Sequence, residues 1–324
     1  MTIVEVRADG TIGLGYTYEP RAARLVRASL ADLVCGQDAL ALATIHGRMV
    51  EAVRRLDPEL AAAAIAAVDI ALWDLKARLL GVPLASLLGA EREQVVLCPC
   101  AGFTSLRPDT LAGEVAEYAV RGHRRIAIAI DPIHAIERVD IARDAAGPDV
   151  ELVVDGRGTF GADSALAVAD TIASHGVTCF VDPVPHDDID NLHWLRTRSP
   201  LAIASGRACV DPVGLARLLE AGAVDVLLVD ATRCRGITGF LEADALAAVH
   251  GIPIASFGAP AVHAHAGPAS SRHLHLSAPT EQARFEALLF DHLATVRKGS
   301  VMFDAGRAGL GIELRRDEIQ CMAA

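Results

Sequence analysis

The sequence predicts an α/β fold: a (β/α)-barrel of the TIM type with a small α+β unit in front of it. Three observations carry this expectation. After Gly89 the chain repeats a unit of roughly 25 residues, an apolar strand followed by an Ala- and Leu-rich helix, as parallel βα repeats require. The strand segments are nearly continuous apolar runs, the pattern of strands buried on both faces. Several end on a polar residue, at the position where barrels of this kind build their sites.

Taken in order, the stretch TIVEVRADGTIGLGYTY, from Thr2 to Tyr18, reads as a hairpin whose turn is supplied by Asp9 and Gly10. From about Arg21 to Leu80 the period changes to 3.6, with Ile65, Val68, Leu72, Leu75 and Leu79 on one helical face, and Gly81 and Pro83 end that helix. The barrel strands follow as VVLCPCAG, RRIAIAI, VELVVDG, VTCFVDP, LAIASGR, VDVLLVD, IPIASFG and RHLHLS. Their polar ends are Asp155, Asp182, Arg207, Asp230 and His275, expected to face one pocket or its rim. The division this implies is an α+β capping unit over 1–90, the barrel over 91–300, and a C-terminal segment over 301–324 that returns to the cap.

Composition narrows the function. A chain of 324 residues, 52% of them hydrophobic, buries a large core and exceeds one simple domain. A formal net charge of -11 argues against a broad electrostatic grip on nucleic acid or on an anionic membrane. The opening MTIVEVRADG carries charge and turn residues where a secretory leader has an apolar core, and no run is long enough to span a bilayer, so a cytoplasmic protein is expected. Seven scattered cysteines read as reduced thiols, and the lack of CxxC pairs with histidine partners argues against structural zinc.

The segment AIAAVDIALWDLKARLLGVPLASLLGA, Ala64 to Ala90, resembles a signature of the mandelate racemase and muconate lactonizing branch of the enolase superfamily, in which a helix leads from the capping domain into the barrel. The resemblance extends through GPDVELVVDGRG, DVLLVDATRCRGITGF and the C-terminal GLGIEL, and so covers nearly the whole chain. It implies the modified barrel of that superfamily and self-association as a homo-oligomer. The implied chemistry removes a proton beside a carboxylate and holds the enediolate on Mg²⁺, which needs three carboxylate ligands on successive strands.

The residues depart from that pattern. The first ligand position matches Asp155; the second is Val181, followed by Asp182 and Pro183; the third is Arg207. Alternation along a strand turns the carboxylate of Asp182 away from the interior unless the strand bulges. A guanidinium about 4 Å from Mg²⁺ would cost on the order of 8 kcal/mol at an effective dielectric near 20, twice the unit-charge figure. The expectation is therefore no metal cofactor, with Arg207 in the metal's place paired to Asp155 and a second cation, Arg157, nearby. The implied base positions are Ala127, Ala129 and Phe257; Asp230, the expected partner of the lost histidine, remains, and His275 takes the place of an electrophilic glutamate. The resemblance further implies a cap truncated at its N-terminus, lacking a first strand and a flexible loop, and hence a more open pocket.

Other residues read as packing or weak signals. Cys209 and Cys234 lie near Arg207, Arg233 and Arg235, settings that lower a thiol pKa, and Cys100 is placed nearer the pocket mouth than Cys98. His263 and His265 lie in the stretch after the seventh strand, and the amides of the GITG segment, Gly236 to Gly239, offer an anion site. Three functions follow. One is a family member that has lost metal-dependent proton abstraction but keeps a pocket for a small anionic metabolite, bound by Asp155, Arg157, Arg207 and Arg233. The second is a metal-independent isomerase, lyase or cyclase using Arg207, Asp230 and His275. The third is a non-catalytic scaffold or partner of an active paralogue.

Overall fold

The computed structural model describes residues 1–316, so the end of the 301–324 segment lies outside the described residues. The expected hairpin forms from β1 (Thr2–Ala8) and β2 (Thr11–Thr17), antiparallel, with Asp9 and Gly10 both at positive φ in the turn. β2 lies directly on the Pro58–Leu79 helix. A Cβ at Gly13 would sit 2.2 Å from the carbonyl oxygen of Ala71, and one at Gly15 2.2 Å from that of Ala67, so only glycine permits this approach. The helix meets the hairpin with alanines and is apolar nearly all round, as a helix surrounded by protein must be. Asp57 caps its start by accepting from the backbone N–H groups of Glu59 and Leu60.

The same helix carries two fully buried aspartates, and each one joins separate parts of the chain. Asp74 accepts from Leu14 N of β2 at 2.7 Å and from Leu310 N of the C-terminal segment at 2.6 Å, and pairs with Arg78, which also donates to the carbonyl of Ile312. Asp69 accepts from Thr238 N at 2.9 Å and Thr238 Oγ1 at 2.6 Å, at the start of the Gly236–His250 helix of the barrel. Buried carboxylates survive only when they are hydrogen-bonded in this way.

Eight parallel strands follow: β3 (Gln94–Ala101), β4 (Arg125–Ala129), β5 (Glu151–Asp155), β6 (Val177–Val181), β7 (Ala202–Ser205), β8 (Val226–Val229), β9 (Ile254–Phe257) and β10 (His273–Pro279). Each pairs with the next, and β10 pairs back onto β3 from Leu276↔Leu97 to Pro279↔Cys100, which closes the barrel. Its interior is filled by small and β-branched side chains, Ala127, Val153, Val181, Ala204 and Ala255 among them, while a larger shell of Ile, Leu and Phe packs strands against helices. After the barrel, Ser300–Met302 pairs antiparallel with the start of β3, and Glu313–Leu314 pairs with Phe290–Asp291.

Two glycine substitutions of opposite sign test this packing. Gly15→Ala forces a Cβ into helix backbone and is expected to destabilise by about 3 kcal/mol, at the upper end of overpacking costs. Gly47→Ala, inside the Leu42–Val53 helix with nothing within 4 Å of the new Cβ, is expected to stabilise by up to about 1 kcal/mol. Urea unfolding of both variants measures the two signs; a neutral Gly15→Ala contradicts the packing of hairpin on helix.

Candidate functional site at the barrel mouth

All eight strands deliver a residue to one cavity of about 610 Å³ at the C-terminal end of the barrel. Cys100, Ala127, Ala129, Asp155, Phe257 and Pro279 come from the strands themselves, and Asp182, Arg207 and Asp230 from the first residues beyond them. Parallel strands end together, and the residues just past the ladder are free to turn inward, which is why the site gathers there.

The centre of the site is Arg207. Its Nη1 and Nη2 donate to the two oxygens of Asp155 at 2.7 and 2.8 Å, and its Nε pairs with Asp182 at 2.7 Å. The guanidinium lies over the ring of Phe257, 4.6 Å from the centroid. Asp182 accepts a further bond from Ser205 Oγ at 2.6 Å, and Asp155 accepts one from Arg157 N at 2.9 Å. Burial opposes the charge of Arg207, but the two carboxylates outweigh it and raise its pKa above the ordinary guanidinium range. Burial pushes the Asp182 carboxyl up, against the pull of Arg207, and neighbouring Asp155 adds to the rise.

This geometry corrects two expectations. Asp182 does enter the site, because β6 ends at Val181 and Asp182 takes a left-handed φ of 40°, so strand alternation no longer governs its direction. Arg207 is not a free anion holder either: three of its N–H groups serve Asp155 and Asp182, and its charge is already matched. Val181 points inward with Ala127 and Ala204, as alternation requires.

The remaining polar residues divide by depth. Asp230 is 3% exposed; its Oδ1 accepts from Thr232 N at 2.9 Å and Thr232 Oγ1 at 2.7 Å. Burial raises its pKa to about 6, against the pull of the Thr232 bonds. Arg157, Arg233 and His186 are exposed at the rim, where Arg157 lies over the ring of Phe103 at 5.5 Å. Phe103, His186, Glu281 and Gln282 also line the cavity and were not anticipated. Glu281 and Gln282 follow a β10 that runs two residues past Ser277, and the change of period there was the available signal.

His275 does not reach the mouth. It lies towards the N-terminal end of the barrel, accepting on Nδ1 from Arg125 Nη1 at 2.8 Å, while Arg125 pairs with Glu151 at the start of β5. Burial, helped by Arg125, lowers its pKa to about 3, so it is a neutral acceptor remote from the cavity and its expected part in proton transfer there loses its ground.

Other candidates have structural occupations. Burial pushes the Cys209 thiol up to about 12 and the Cys234 thiol well above its ordinary value, which fits the packing role and outweighs the nearby arginines. His263 holds the loop after β8 to the loop after β9, its ring lying between Ala231 N and the Gly258 carbonyl, and His265 joins Ala85 to Leu310. Cys98 is buried in the barrel interior, whereas Cys100 lines the cavity as a protonated thiol. The GITG amides do bind a carboxylate, but it is the chain's own Asp69; a Cβ at Gly236 would lie 2.3 Å from that carboxylate.

Comparisons with known proteins agree with this architecture. Residues 1–89 match the mandelate racemase/muconate lactonizing enzyme N-terminal domain, and residues 110–318 match the enolase C-terminal domain-like family. The L-talarate/galactarate dehydratase of Salmonella typhimurium is 30% identical over 328 residues, covering 96% of this chain and 80% of that protein. The D-galactarolactone cycloisomerase of Agrobacterium fabrum is 29% identical over 261 residues, covering 78% of this chain and 69% of that protein. The crystal structure of a mandelate racemase/muconate lactonizing enzyme-like protein from Rubrobacter xylanophilus superposes with a TM-score of 0.95 at 40% identity, over 98% of this chain and 90% of that one. With both family domains matched in order on a capped barrel whose site lies at the strand ends, the chain belongs to the mandelate racemase/muconate lactonizing enzyme family of the enolase superfamily.

Proposed function

We propose that this family member has exchanged its magnesium-dependent proton-abstraction site for a guanidinium-centred one, and that it keeps a cavity for a small molecule bearing a carboxylate or comparable anion. The observation that carries the reading is Arg207, held between Asp155 and Asp182 at 2.7 to 2.8 Å. Mg²⁺ takes oxygen donors in a near-octahedral array. The two carboxylates that could serve it are already hydrogen-bonded to a permanent cation, and the third ligand position is that cation itself, so the residues present do not fit the ion. Ala127, Ala129 and Phe257 supply no proton-transfer group where the resemblance implies bases.

On this reading the anion is held at the rim by Arg157 and Arg233, whose guanidinium groups are exposed, while Arg207 keeps the floor together. A metal-independent isomerase, lyase or cyclase is the second reading. It is favoured by Asp230, a cavity-lining carboxyl whose pKa of about 6 suits proton exchange near neutral pH.

Two measurements test the reading. Arg207→Ala leaves Asp155 and Asp182 as unpaired neighbours, and is expected to cost about 3–5 kcal/mol at pH 8 in urea unfolding. Burial and the neighbouring Asp155 raise the pKa of the Asp182 carboxyl, and losing Arg207 removes the pull that opposes them. A raised carboxyl favours the folded state at low pH and this is lost as pH rises, so the deficit should shrink towards pH 5. A variant as stable as the parent at pH 8 contradicts the central position of the ion pair. In a thermal-shift screen of small carboxylates and sugar acids, at least one compound is expected to raise the Tm, with the shift lost in the Arg157→Ala, Arg233→Ala double variant. Silence across the library contradicts the pocket and favours a scaffold.

A further inference from the structure

The charges that line the cavity are unevenly placed. Four carboxylates, Asp155, Asp182, Asp230 and Glu281, face three guanidiniums, Arg157, Arg207 and Arg233, so the lining has a formal charge of -1 with His186 neutral. The deep part is the acidic part: Asp182 is 6% exposed and Asp230 3%, whereas Arg157 and Arg233 are exposed at the rim. Arg207 does not change this, since one cation between two carboxylates leaves a unit that is still negative. A simple anion entering this cavity would find its unpaired cations at the lip and a net negative charge below.

Asp230 makes the asymmetry chemically specific. Both hydrogen bonds to its carboxylate, from Thr232 N and Thr232 Oγ1, go to Oδ1, and among the described residues no donor is found for Oδ2. The residue lines the cavity, so that oxygen is open to a donor from a ligand. A carboxylate out of water is best satisfied by a donor that also brings positive charge. Ala127, Ala129 and Phe257 add apolar surface to the lining, which suits a short stretch of methylene groups.

We infer that the ligand of this cavity is a small zwitterion, an amino acid or a close relative, with its ammonium group at Asp230 in the depth and its carboxylate held at the rim by Arg157 and Arg233. This rests on the reading that the cavity holds a small molecule with an anionic group, and adds to it a cationic end and an apolar middle. The ionisation of Asp230 makes the preference pH-dependent: its advantage for an ammonium group is present above its pKa of about 6 and fades below it. The charged groups that accompany it on the cavity wall, Asp155, Asp182, Glu281, Arg157, Arg207 and Arg233, set the background for that titration.

The test compares matched probes by calorimetry at neutral to slightly basic pH: ε-aminocaproate, caproate and hexylamine, and the shorter set γ-aminobutyrate, butyrate and butylamine. In at least one set the amino acid is expected to bind about tenfold tighter than either single-charge compound, a difference well within the range of one charge pair. Asp230→Asn keeps an Oδ1 acceptor for Thr232, and should reduce the amino acid to the level of its carboxylate. The Arg157→Ala, Arg233→Ala double variant, at exposed positions, should reduce it to the level of the amine. A carboxylate that binds as tightly as its amino acid overturns the inference and leaves the anion pocket standing. Failure of all six compounds also overturns it; a binder in the carboxylate and sugar-acid screen would then keep the pocket, and no binder there would remove both.

Discussion

The molecule hangs on one helix. Pro58–Leu79 is buried on almost every side, and its Asp69 and Asp74 are the points at which cap, barrel and C-terminal segment are joined. A buried carboxylate left without partners is costly, so each aspartate fixes the backbone amides that satisfy it. Asp74 thereby sets where β2 and Gly309 to Ile312 lie, and Asp69 sets the start of the helix after β8, three residues beyond the rim arginine Arg233 and a short loop from Asp230. The glycines of β2 complete the arrangement by letting two backbones approach to a distance that no side chain allows. The orientation of the cavity's eighth-strand side is thus decided in part from the cap.

Above this frame the barrel mouth is organised around one guanidinium. A guanidinium can be held between carboxylates by short, directed hydrogen bonds, and Arg207 uses that geometry with Asp155 and Asp182. Phe257 gives the guanidinium a face to lie on. Around it, Ala127 and Ala129 present only methyl groups to the cavity, and Val181 fills the barrel interior. What remains is a floor that is acidic and apolar and a rim that is basic.

Much of this was legible in the sequence. The hairpin turn at Asp9 and Gly10, the eight apolar strands and the polar strand ends follow from periodicity and turn chemistry, and the pairing of Arg207 with Asp155 follows from placing a cation beside a carboxylate at neighbouring strand ends. Asp182 enters the site as a polar strand end should, and against alternation, because alternation holds only inside the ladder and its φ of 40° belongs to the backbone beyond it. His275 was misjudged because a strand contributes residues to both ends of a barrel, and position along β10, not residue type, decides which end it serves. The GITG amides offer an anion site by their sequence, yet nothing local indicates that the anion is the carboxylate of Asp69, far away in the chain. Cys209 and Cys234 have arginines as sequence neighbours, but their burial, which governs the thiol, is a property of the folded shell.

The central claim is that a guanidinium occupies the place where relatives of this fold would hold a metal ion, and calorimetric titration of chelator-treated protein with millimolar Mg²⁺ addresses it directly. The unaltered chain should give no saturable heat. Arg207→Glu, which presents an introduced carboxylate beside Asp155 and Asp182, should give a saturable isotherm. Saturable Mg²⁺ binding by the unaltered chain would contradict the account and restore conventional metal-dependent enolisation as the chemistry of this site.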